Sequence, residues 1–564
     1  MTTPAGHPDT PVPFPLNEGR TIHFANPLPA MSLDPASGHD TGTYNNWEIA
    51  CPGLMTTRDP DLGIMLYQLR KCIRDDRRLV FVDGRVLTCS LNWIRDHVHQ
   101  SKGFCHWEHD MRSFFDFILD TQRADGQFYE LLKQEDDCHW QLVTPDCVVK
   151  YPADNQTLVR LELEADIEYL MVEGALQIWR VEGDDEWLRR ALPRLEKGIG
   201  YITSDPKRWD AARGLAKRPF TIDTWDFVHE PPRPYERKIM PDSPMSIMHG
   251  DNSGLCQAMM QLAFMNERFG NDARAEEWRG RAAAVRDNMM KHLWNGTFFR
   301  HQLHLGHKGL DDLEAERLSL SNAYALNRGL LSRTECRAII GEYMRRRRTS
   351  GCFAEWFSID PPYAGGFCSN KPGHYVNGGI SPFTAGELAK GAFRNGFEEY
   401  GWDIVRRLME MMKRDGTIYF LYTPDEAKPM GGGPSGWGAA ALLSAIDQGL
   451  AGIVDAACRY AEIDFAPRWP VTDYTELRYV TGYERSRAFV DCRYVLADAG
   501  MRYRLQSPAV RVNAHLLLPK GRDCRKLLVN GAETPFKVVK VGSSRYVDAS
   551  VGARGVVDFE ALFG

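Results

Sequence analysis

The chain has 564 residues, 43% of them hydrophobic and 11% aromatic, which is enough for one large and one smaller domain with buried cores. Its 69 basic and 75 acidic residues nearly cancel, and the net charge of -6 argues against a nucleic-acid-binding or membrane-binding surface. The proline-rich residues 1–45 lack the basic start and apolar core of a secretory signal, and no apolar run reaches membrane-spanning length. The thirteen cysteines include no CxxC pair, which is typical of free thiols in a reducing compartment. We therefore expect a flexible leader over residues 1–45 and a soluble, cytoplasmic protein.

Helical hairpins dominate the next 400 residues. A glycine stop followed by an acidic cap separates two helices at Gly183-Asp184, and similar punctuation returns at 269–272 and 394–396. The spacing between these hairpins is irregular, which argues against a solenoid. Residues 78–91 form a predicted β-hairpin around Asp83-Gly84. The predicted helices cover residues 59–75, 108–122, 163–181, 255–269, 273–293, 382–393, 398–412 and 435–450.

The pattern changes after Ile453. Apolar residues alternate strictly over 490–496 and 510–518, and Asn530-Gly531 marks a tight turn. Short strands with turns between them predict a β-sandwich. We therefore expect a mainly α protein, with helical hairpins over residues 46–453 and an antiparallel β-sandwich over residues 454–564.

Two carboxylates stand three residues apart in the stretch 217–230. Trp225 lies between Asp223 and Asp226. A carboxyl beside an indole in a partly dry cleft can have a raised pKa, because burial disfavours the charged form. A general acid that protonates a leaving group near neutral pH needs such a pKa. The alternative is an aspartate at a turn beside a core tryptophan.

Several short motifs resemble those of the six-hairpin glycosidases, whose catalytic domain is an (α/α)6 barrel. Residues 93–96 (WIRD) resemble the W-x-R-D motif of glucoamylase-like enzymes, whose Asp binds sugar hydroxyls. Residues 224–227 (TWDF) resemble the G-W-D-F segment of trehalases, whose Asp is the general acid. Residues 375–379 (YVNGG), with Pro382, resemble a segment of neutral invertases. The last helix, residues 449–453 and the β domain resemble the end of the bacterial α-L-rhamnosidases.

The sequence departs from this resemblance at the general base. The resemblance implies a Glu just before the last inner helix, but residues 416–423 contain no carboxylate. Glu355 is favoured instead, because its aromatic neighbours Phe353 and Trp356 would form a sugar-stacking wall. A surface Glu with inward-facing aromatic neighbours is the alternative. The other candidates for the base are Glu387, Asp425 and Glu426.

The resemblance implies inversion, with two carboxylates about 6.5–9.5 Å apart. We assign Asp226 as the acid and Glu355 as the base; alternatively, Asp223 is the acid and Asp226 holds a sugar hydroxyl. If Lys217, Arg218 and Lys371 face the site, the substrate could carry a carboxylate, and otherwise they are exposed loop charges. The expected substrate-binding residues are Trp93, Arg95, Asp96, His97, Asp223, Trp225, Trp356, Asn377 and Glu387, although each tryptophan could instead belong to the core.

Two further patterns carry no cofactor chemistry. The dense histidines do not match a metal-binding motif, so no metal and no cofactor are expected. Gly431–Gly433 lacks the lysine of a phosphate loop, and predicts a close approach of backbone at the barrel mouth. The histidines are His97, His99, His106 and His109.

The sequence thus predicts an inverting, exo-acting glycosidase that trims a short oligosaccharide, and it leaves open whether the protein is a monomer or a homo-oligomer. A lyase or sugar epimerase on the same barrel is the first alternative, because Tyr375, Tyr422 and His374 could transfer protons. A non-catalytic carbohydrate-binding protein is the second.

Overall fold

The computed structural model describes residues 61–134, 145–223, 225–228 and 237–564, together with the backbone of two short strands. The predicted leader lies outside the described residues apart from those strands, and so does Thr224. The helices of the described residues are α1 Asp61–Asp75, α2 Ile94–Phe104, α3 Ser113–Asp120, α4 Ile167–Glu182, α5 Asp185–Ser204, α6 His249–Arg268, α7 Asp272–His292, α8 Ser321–Ala325, α9 Arg333–Thr349, α10 Pro382–Arg394, α11 Glu398–Asp415 and α12 Gly436–Ser444.

Six helices form a closed ring. Helix α2 packs on α4, α4 on α6, α6 on α8, α8 on α10, α10 on α12, and α12 returns to α2. Each of the other six packs against members of this ring. A Cβ at Gly386 in α10 would lie 2.5 Å from the backbone of Ala441 in α12, so glycine permits this close packing. The ring places the first turns of α2 and α12 side by side.

The predicted glycine stop and acidic cap between α4 and α5 are both present. Gly183 ends α4 with a φ of 65°, in the left-handed region that favours glycine. The Asp184 side chain accepts a hydrogen bond from the backbone N–H of Trp187 and so caps α5. Helix α3 is shorter than predicted, because Asp110 accepts hydrogen bonds from the backbone N–H and hydroxyl of Ser113 at its start.

Short strands connect the helices. The predicted hairpin is present as β3 and β4, with Val82 paired to Arg85. The strands up to residue 430 are β1 Phe14–Pro15, β2 Thr21–Ile22, β3 Arg77–Val82, β4 Arg85–Ser90, β5 Leu131–Gln134, β6 Val148–Tyr151, β7 Gln156–Val159, β8 Trp209–Asp210, β9 Leu215–Ala216, β10 Arg218–Pro219, β11 Met245–Met248, β12 Gln302–Leu305, β13 Leu318–Ser319, β14 Ile359–Asp360, β15 Leu421–Tyr422 and β16 Pro429–Met430.

The C-terminal part consists of two packed sheets. Their orders are β17-β18-β22-β26-β25 and β19-β20-β21-β27-β23-β24. Phe465 of the first sheet contacts Tyr503 and Phe559 of the second, with ring centroids 5.5 and 6.2 Å apart. These strands are β17 Ile453–Asp455, β18 Glu462–Phe465, β19 Glu476–Tyr483, β20 Ala488–Ala497, β21 Gly500–Gln506, β22 Arg511–Leu517, β23 Cys524–Val529, β24 Ala532–Glu533, β25 Lys537–Val541, β26 Ser544–Gly552 and β27 Val556–Phe563.

Two parts of the predicted fold class need correction. The chain is mixed helical and sheet rather than mainly α, because the loops contain small sheets besides the C-terminal pair. The C-terminal sheets are not wholly antiparallel, since β18 pairs with β22 in parallel. Within the described part of the chain, none of the cysteines forms a disulfide. None of the helices described there has the length and apolar character needed to cross a bilayer.

Candidate active site

A cavity of about 1230 Å³ lies where the first turns of α2 and α12 meet the β3–β4 hairpin. Four carboxylates and five aromatic rings line it, a combination suited to binding a sugar by hydrogen bonds and ring stacking. The carboxylates belong to Asp76, Asp96, Asp154 and Asp226, and the rings to Phe81, Trp93, Tyr375, Phe420 and Trp437.

Asp226 reaches this cavity from a loop that is fixed on both sides. The Thr221 hydroxyl donates hydrogen bonds to the backbone oxygens of Trp225 and Phe227, at 3.1 and 2.8 Å. Arg237 places its Nη2 3.6 Å from Oδ2 of Asp226 and stacks over the Phe227 ring at 4.2 Å. These contacts hold the Asp226 carboxylate at the cavity wall.

Arg95 and Asp96 occupy the first turn of α2. Arg95 donates from Nε to Asp166 and from Nη2 to Glu164, both at 2.5 Å, so these donors are already engaged by protein carboxylates. Burial raises the pKa of Asp96 to about 7, and the negative charge of Asp76 adds to the effect. A partly protonated Asp96 can both donate a hydrogen bond to a sugar hydroxyl and accept one.

Trp437 forms a rigid aromatic wall. It stacks on His99 at 4.3 Å and on Phe383 at 4.8 Å, and its Nε1 donates to the Tyr324 hydroxyl at 2.8 Å. Because both sides of the ring are covered and only 4% of the residue is exposed, Trp437 contributes a fixed ring edge, not a free face, to the cavity wall.

Tyr375 has a backbone φ of 49°, an uncommon value for a bulky residue. Its ring meets Trp225 edge to face at 5.3 Å. Burial, with the nearby charges of Asp226 and Asp96, raises the pKa of Tyr375 to about 12. The hydroxyl therefore stays protonated at neutral pH and lies under the influence of both carboxylates. Backbone that sterics disfavour is often found at functional sites.

The glycine run approaches the cavity as predicted. Gly432 and Gly433 line the wall, and a Cβ at Gly433 would lie 2.5 Å from the Tyr419 ring. Only a residue without a side chain fits at Gly433.

Four predicted site residues thus meet in one cavity, namely Trp93, Arg95, Asp96 and Asp226. Glu355, the predicted general base, does not line it. Its fully buried carboxylate accepts hydrogen bonds from Arg407 at 2.9 and 2.7 Å and from the Tyr400 hydroxyl. Trp356 is also fully buried, with Arg407 over its ring at 4.7 Å. The structure therefore gives these two residues packing roles rather than the predicted base and stacking roles.

Asp223 is buried away from the cavity. Burial acts to raise its pKa, but His301, His249 and two serine hydroxyls bring it below the usual value. Trp225 packs behind Tyr375 instead of facing a ligand. The two residues therefore support the Asp226 loop from inside.

Three more predicted binding residues lie elsewhere. His97 is buried against Phe104 and Phe114. The Asn377 side chain bonds the backbone of Tyr363 and Asn370, and so fixes its loop. Glu387 accepts a hydrogen bond from Lys102 at 2.9 Å in a separate chamber of about 240 Å³ inside the barrel.

The remaining charged candidates do not line the cavity either. Asp425 and Glu426 are exposed in the β15–β16 loop. Arg218 is buried and paired with Glu164 at 3.0 Å, and neither Lys217 nor Lys371 is at the cavity wall. A carboxylate on the substrate therefore has no support from these residues.

The sequence pattern missed Asp76, Phe420 and Trp437 as site residues. Asp76 follows α1 in a run of charged residues that carries no motif, so only the closed ring reveals its position beside α12. Among the described residues, no group of three or more His, Cys, Asp or Glu could hold a metal ion.

The fold is shared with solved glycosidases. A GH78 rhamnosidase of Bacillus sp. GL1 matches with a TM-score of 0.56 at 14% identity, over 84% of this chain and 43% of that one. Streptomyces avermitilis α-L-rhamnosidase, complexed with L-rhamnose, matches with a TM-score of 0.54 at 14% identity, over 90% and 42%. A sialidase matches with a TM-score of 0.57 at 12% identity, over 93% and 44%.

No protein-family model and no curated protein matches the sequence. The chain spans less than half the length of the three structures named above. At these identities the likeness concerns the fold alone. The predicted resemblance to the six-hairpin glycosidases is confirmed at that level, because the rhamnosidases belong to this superfamily.

Proposed function

We propose that the protein is a glycoside hydrolase whose active site is the cavity around Asp226. The observation that carries the proposal is the meeting of Asp226, Asp96, Trp93 and Trp437 in one cavity on this fold. Cleavage of a glycosidic bond needs a carboxylic acid at the leaving oxygen and binding groups for the sugar. The cavity contains residues of both kinds.

In the proposed reaction Asp226 is the general acid. It protonates the glycosidic oxygen as the bond to the anomeric carbon breaks, so that the leaving sugar departs as an alcohol. Arg237 and Thr221 keep the carboxylate directed at that oxygen. Asp96 binds sugar hydroxyls, Trp93 is the stacking face, and Trp437 is a fixed part of the cavity wall.

We further propose exo action with inversion on a short oligosaccharide. Glu164, which binds Arg95 at the cavity wall, is fully buried. This supports a cavity that is closed behind Arg95, with room at that end for one terminal sugar. Inversion requires a second carboxylate on the opposite side of the sugar, and several cavity-lining aspartates are available.

The test is a panel of aryl glycosides and short oligosaccharides, with the anomer of the first-formed sugar read by proton NMR. We expect release of one terminal sugar with inverted configuration, and loss of that activity in Asp226→Asn. A product that keeps its configuration would contradict inversion. Unchanged turnover in Asp226→Asn would contradict the assignment of the acid.

A lyase or epimerase is the second candidate, and Tyr375 favours it. Its strained backbone and its position near Asp226 and Asp96 suit a proton-transfer group. A lyase would form an unsaturated sugar that absorbs in the ultraviolet, whereas an epimerase would cleave nothing. If Tyr375→Phe abolished such a reaction while Asp226→Asn did not, this candidate would replace the hydrolase.

A further inference from the structure

An inverting hydrolase needs a second carboxylate that removes a proton from water, and the sequence places none in residues 416–423. Within the cavity, the carboxylates other than Asp226 are Asp76, Asp96 and Asp154. The structure distinguishes these three by their hydrogen bonds and burial.

Asp154 is held at the rim. Its Oδ2 accepts a hydrogen bond from the backbone N–H of Asp83 at 2.8 Å, in the turn of the β3–β4 hairpin. Asp83 is exposed to solvent at this turn. Asp154 therefore supports the hairpin rather than a reacting water molecule.

Asp96 lies in the first turn of α2, and burial together with the charge of Asp76 raises its pKa, which favours its protonated form. A general base must be ionised to accept a proton. Asp96 suits a hydroxyl-binding role better than that of the base.

Asp76 is buried, with 6% of its surface exposed, and two hydrogen-bond donors bind its carboxylate. Oδ2 accepts the backbone N–H of Gly436 at 2.6 Å and Nε2 of Gln100 at 3.2 Å. Gly436 is the first residue of α12, and a helix start stabilises an anion. A Cβ at Gly436 would lie 2.5 Å from this Oδ2, so glycine allows the approach.

We propose that Asp76 is the general base of the hydrolysis, an assignment that rests on the proposed function above. Asp76 is near the beginning of the helical domain in sequence, and its carboxylate lies at the start of α12, the last helix of the ring. In the step, a water oxygen attacks the anomeric carbon and one water proton passes to Asp76. The glycosidic bond breaks with its electron pair on the leaving oxygen, which takes the proton of Asp226. The products are two free sugars.

The charged surroundings of Asp76 set the expected pH dependence. Burial raises its pKa to about 6, while the Gly436 N–H, Arg78 and Gln100 lower it and Asp75 raises it slightly. Asp96 on α2 is the other titratable group that interacts with it. Because a base acts in its ionised form, kcat/KM is expected to fall about tenfold per pH unit below this pKa.

The experiment compares Asp76→Asn with Asp226→Asn and with the control Asp75→Asn. Asp75 is the exposed neighbour, paired only with Lys71 at the surface among its described contacts. Substrates are the responsive aryl glycoside and the glycosyl fluoride of the same sugar and configuration. Fluoride leaves without protonation, so it needs a base but no acid.

We expect Asp76→Asn to lose about 10²–10⁴-fold in kcat on both substrates. It should also lose the decline of kcat/KM below about pH 6 that is expected for the wild type. Asp226→Asn should lose far less on the fluoride than on the aryl glycoside, and Asp75→Asn should behave as the wild type. Near wild-type turnover in Asp76→Asn would overturn the proposal. So would a slow variant that keeps the wild-type decline, since Asp76 would then only hold the start of α12.

A second measurement separates this proposal from the proposed function. If the wild type hydrolyses no glycoside, the function fails by itself. Calorimetry then measures the binding of a panel of protonated iminosugars, which mimic the charge of the reacting ring. It tests whether Asp76 lies beside the bound ring. About tenfold weaker binding in Asp76→Asn than in Asp75→Asn would keep Asp76 at the reacting centre. Equal binding by the two variants would overturn that position.

Discussion

Asp226 and Glu355 look alike in the sequence, and the structure puts them in opposite environments. Each is an acid with aromatic neighbours in a long loop. Asp226 lines the large cavity with one arginine 3.6 Å away. Glu355 is fully buried and bound by both terminal nitrogens of Arg407 and by Tyr400.

The difference comes from partners distant in the chain. Arg407 lies on α11, 52 residues after Glu355, and no local sequence pattern indicates that its guanidinium binds the Glu355 carboxylate. A carboxylate held by a bidentate arginine has few free lone pairs for water or substrate. Aromatic neighbours in the sequence therefore indicate a carboxylate that is shielded from solvent. They do not distinguish a carboxylate in a cavity wall from one in the core.

The largest effect should follow Asp226→Asn. Loss of a general acid lowers kcat by about 10²–10⁴-fold. The effect should shrink as the leaving group becomes more acidic, because such groups need less protonation. Initial rates on a series of aryl glycosides test this. An equal loss for every leaving group would show that Asp226 does not protonate the leaving oxygen.

Glu355→Gln should lower stability instead. Removing one member of a buried ion pair costs about 3–5 kcal/mol, because the remaining charge loses its partner. Chemical denaturation should show this loss in the free energy of unfolding. Glu410→Gln, at the surface of α11, the helix that also holds Arg407, is the control and should be close to neutral. A stable Glu355→Gln enzyme without activity would contradict the packing role.

Two of the three tryptophans predicted as stacking faces, Trp93 and Trp356, provide a smaller contrast. Trp93→Ala removes a ring from the cavity wall and should raise KM about 2- to 13-fold, as expected for an aromatic contact of about 0.5–1.5 kcal/mol. Trp356→Ala should instead destabilise the fold, because it empties a fully buried site. Steady-state kinetics and thermal melting of both variants check the pair. A raised KM with unchanged stability in Trp356→Ala would reverse the assignment.

The last prediction concerns Asp96 and pH. The pKa of Asp96 is about 7 in the folded protein and near 3.8 in an unfolded chain, so the folded state favours the protonated form. Asp96 therefore reduces stability as the pH rises from about 4 through 7. Asp96→Asn should melt at a higher temperature than the wild type at pH 8, and the difference should vanish below pH 4. A difference that does not change with pH would contradict the raised pKa.

Much of the fold could be predicted because its signals are local. Glycine stops, acidic caps and apolar stripes identified most of the hairpins, and strict alternation identified the sheets after Ile453. Helix α2 was missed, because nine of its eleven residues are buried and several of these are polar or charged, so it has no apolar stripe. The parallel β18–β22 pair joins strands 49 residues apart and has no local signal either.

The site was predictable only where a motif coincided with a helix start or a fixed loop. The WIRD segment lies at the first turn of α2, so Trp93, Arg95 and Asp96 reach the cavity together. Asp76 could not be found in this way, because its position depends on the packing of α1 against the ring helices α2 and α12. His97 follows the same motif but points into the core, since successive helix residues face different directions.

The most direct measurement of the central claim is turnover per folded molecule of Asp226→Asn and Glu355→Gln, at a temperature where circular dichroism shows both variants to be folded. The account predicts that Asp226→Asn loses at least about 10²-fold on the responsive glycoside, while Glu355→Gln stays within a few-fold of the wild type. If Glu355→Gln lost turnover and Asp226→Asn kept it, the cavity around Asp226 would not be the active site.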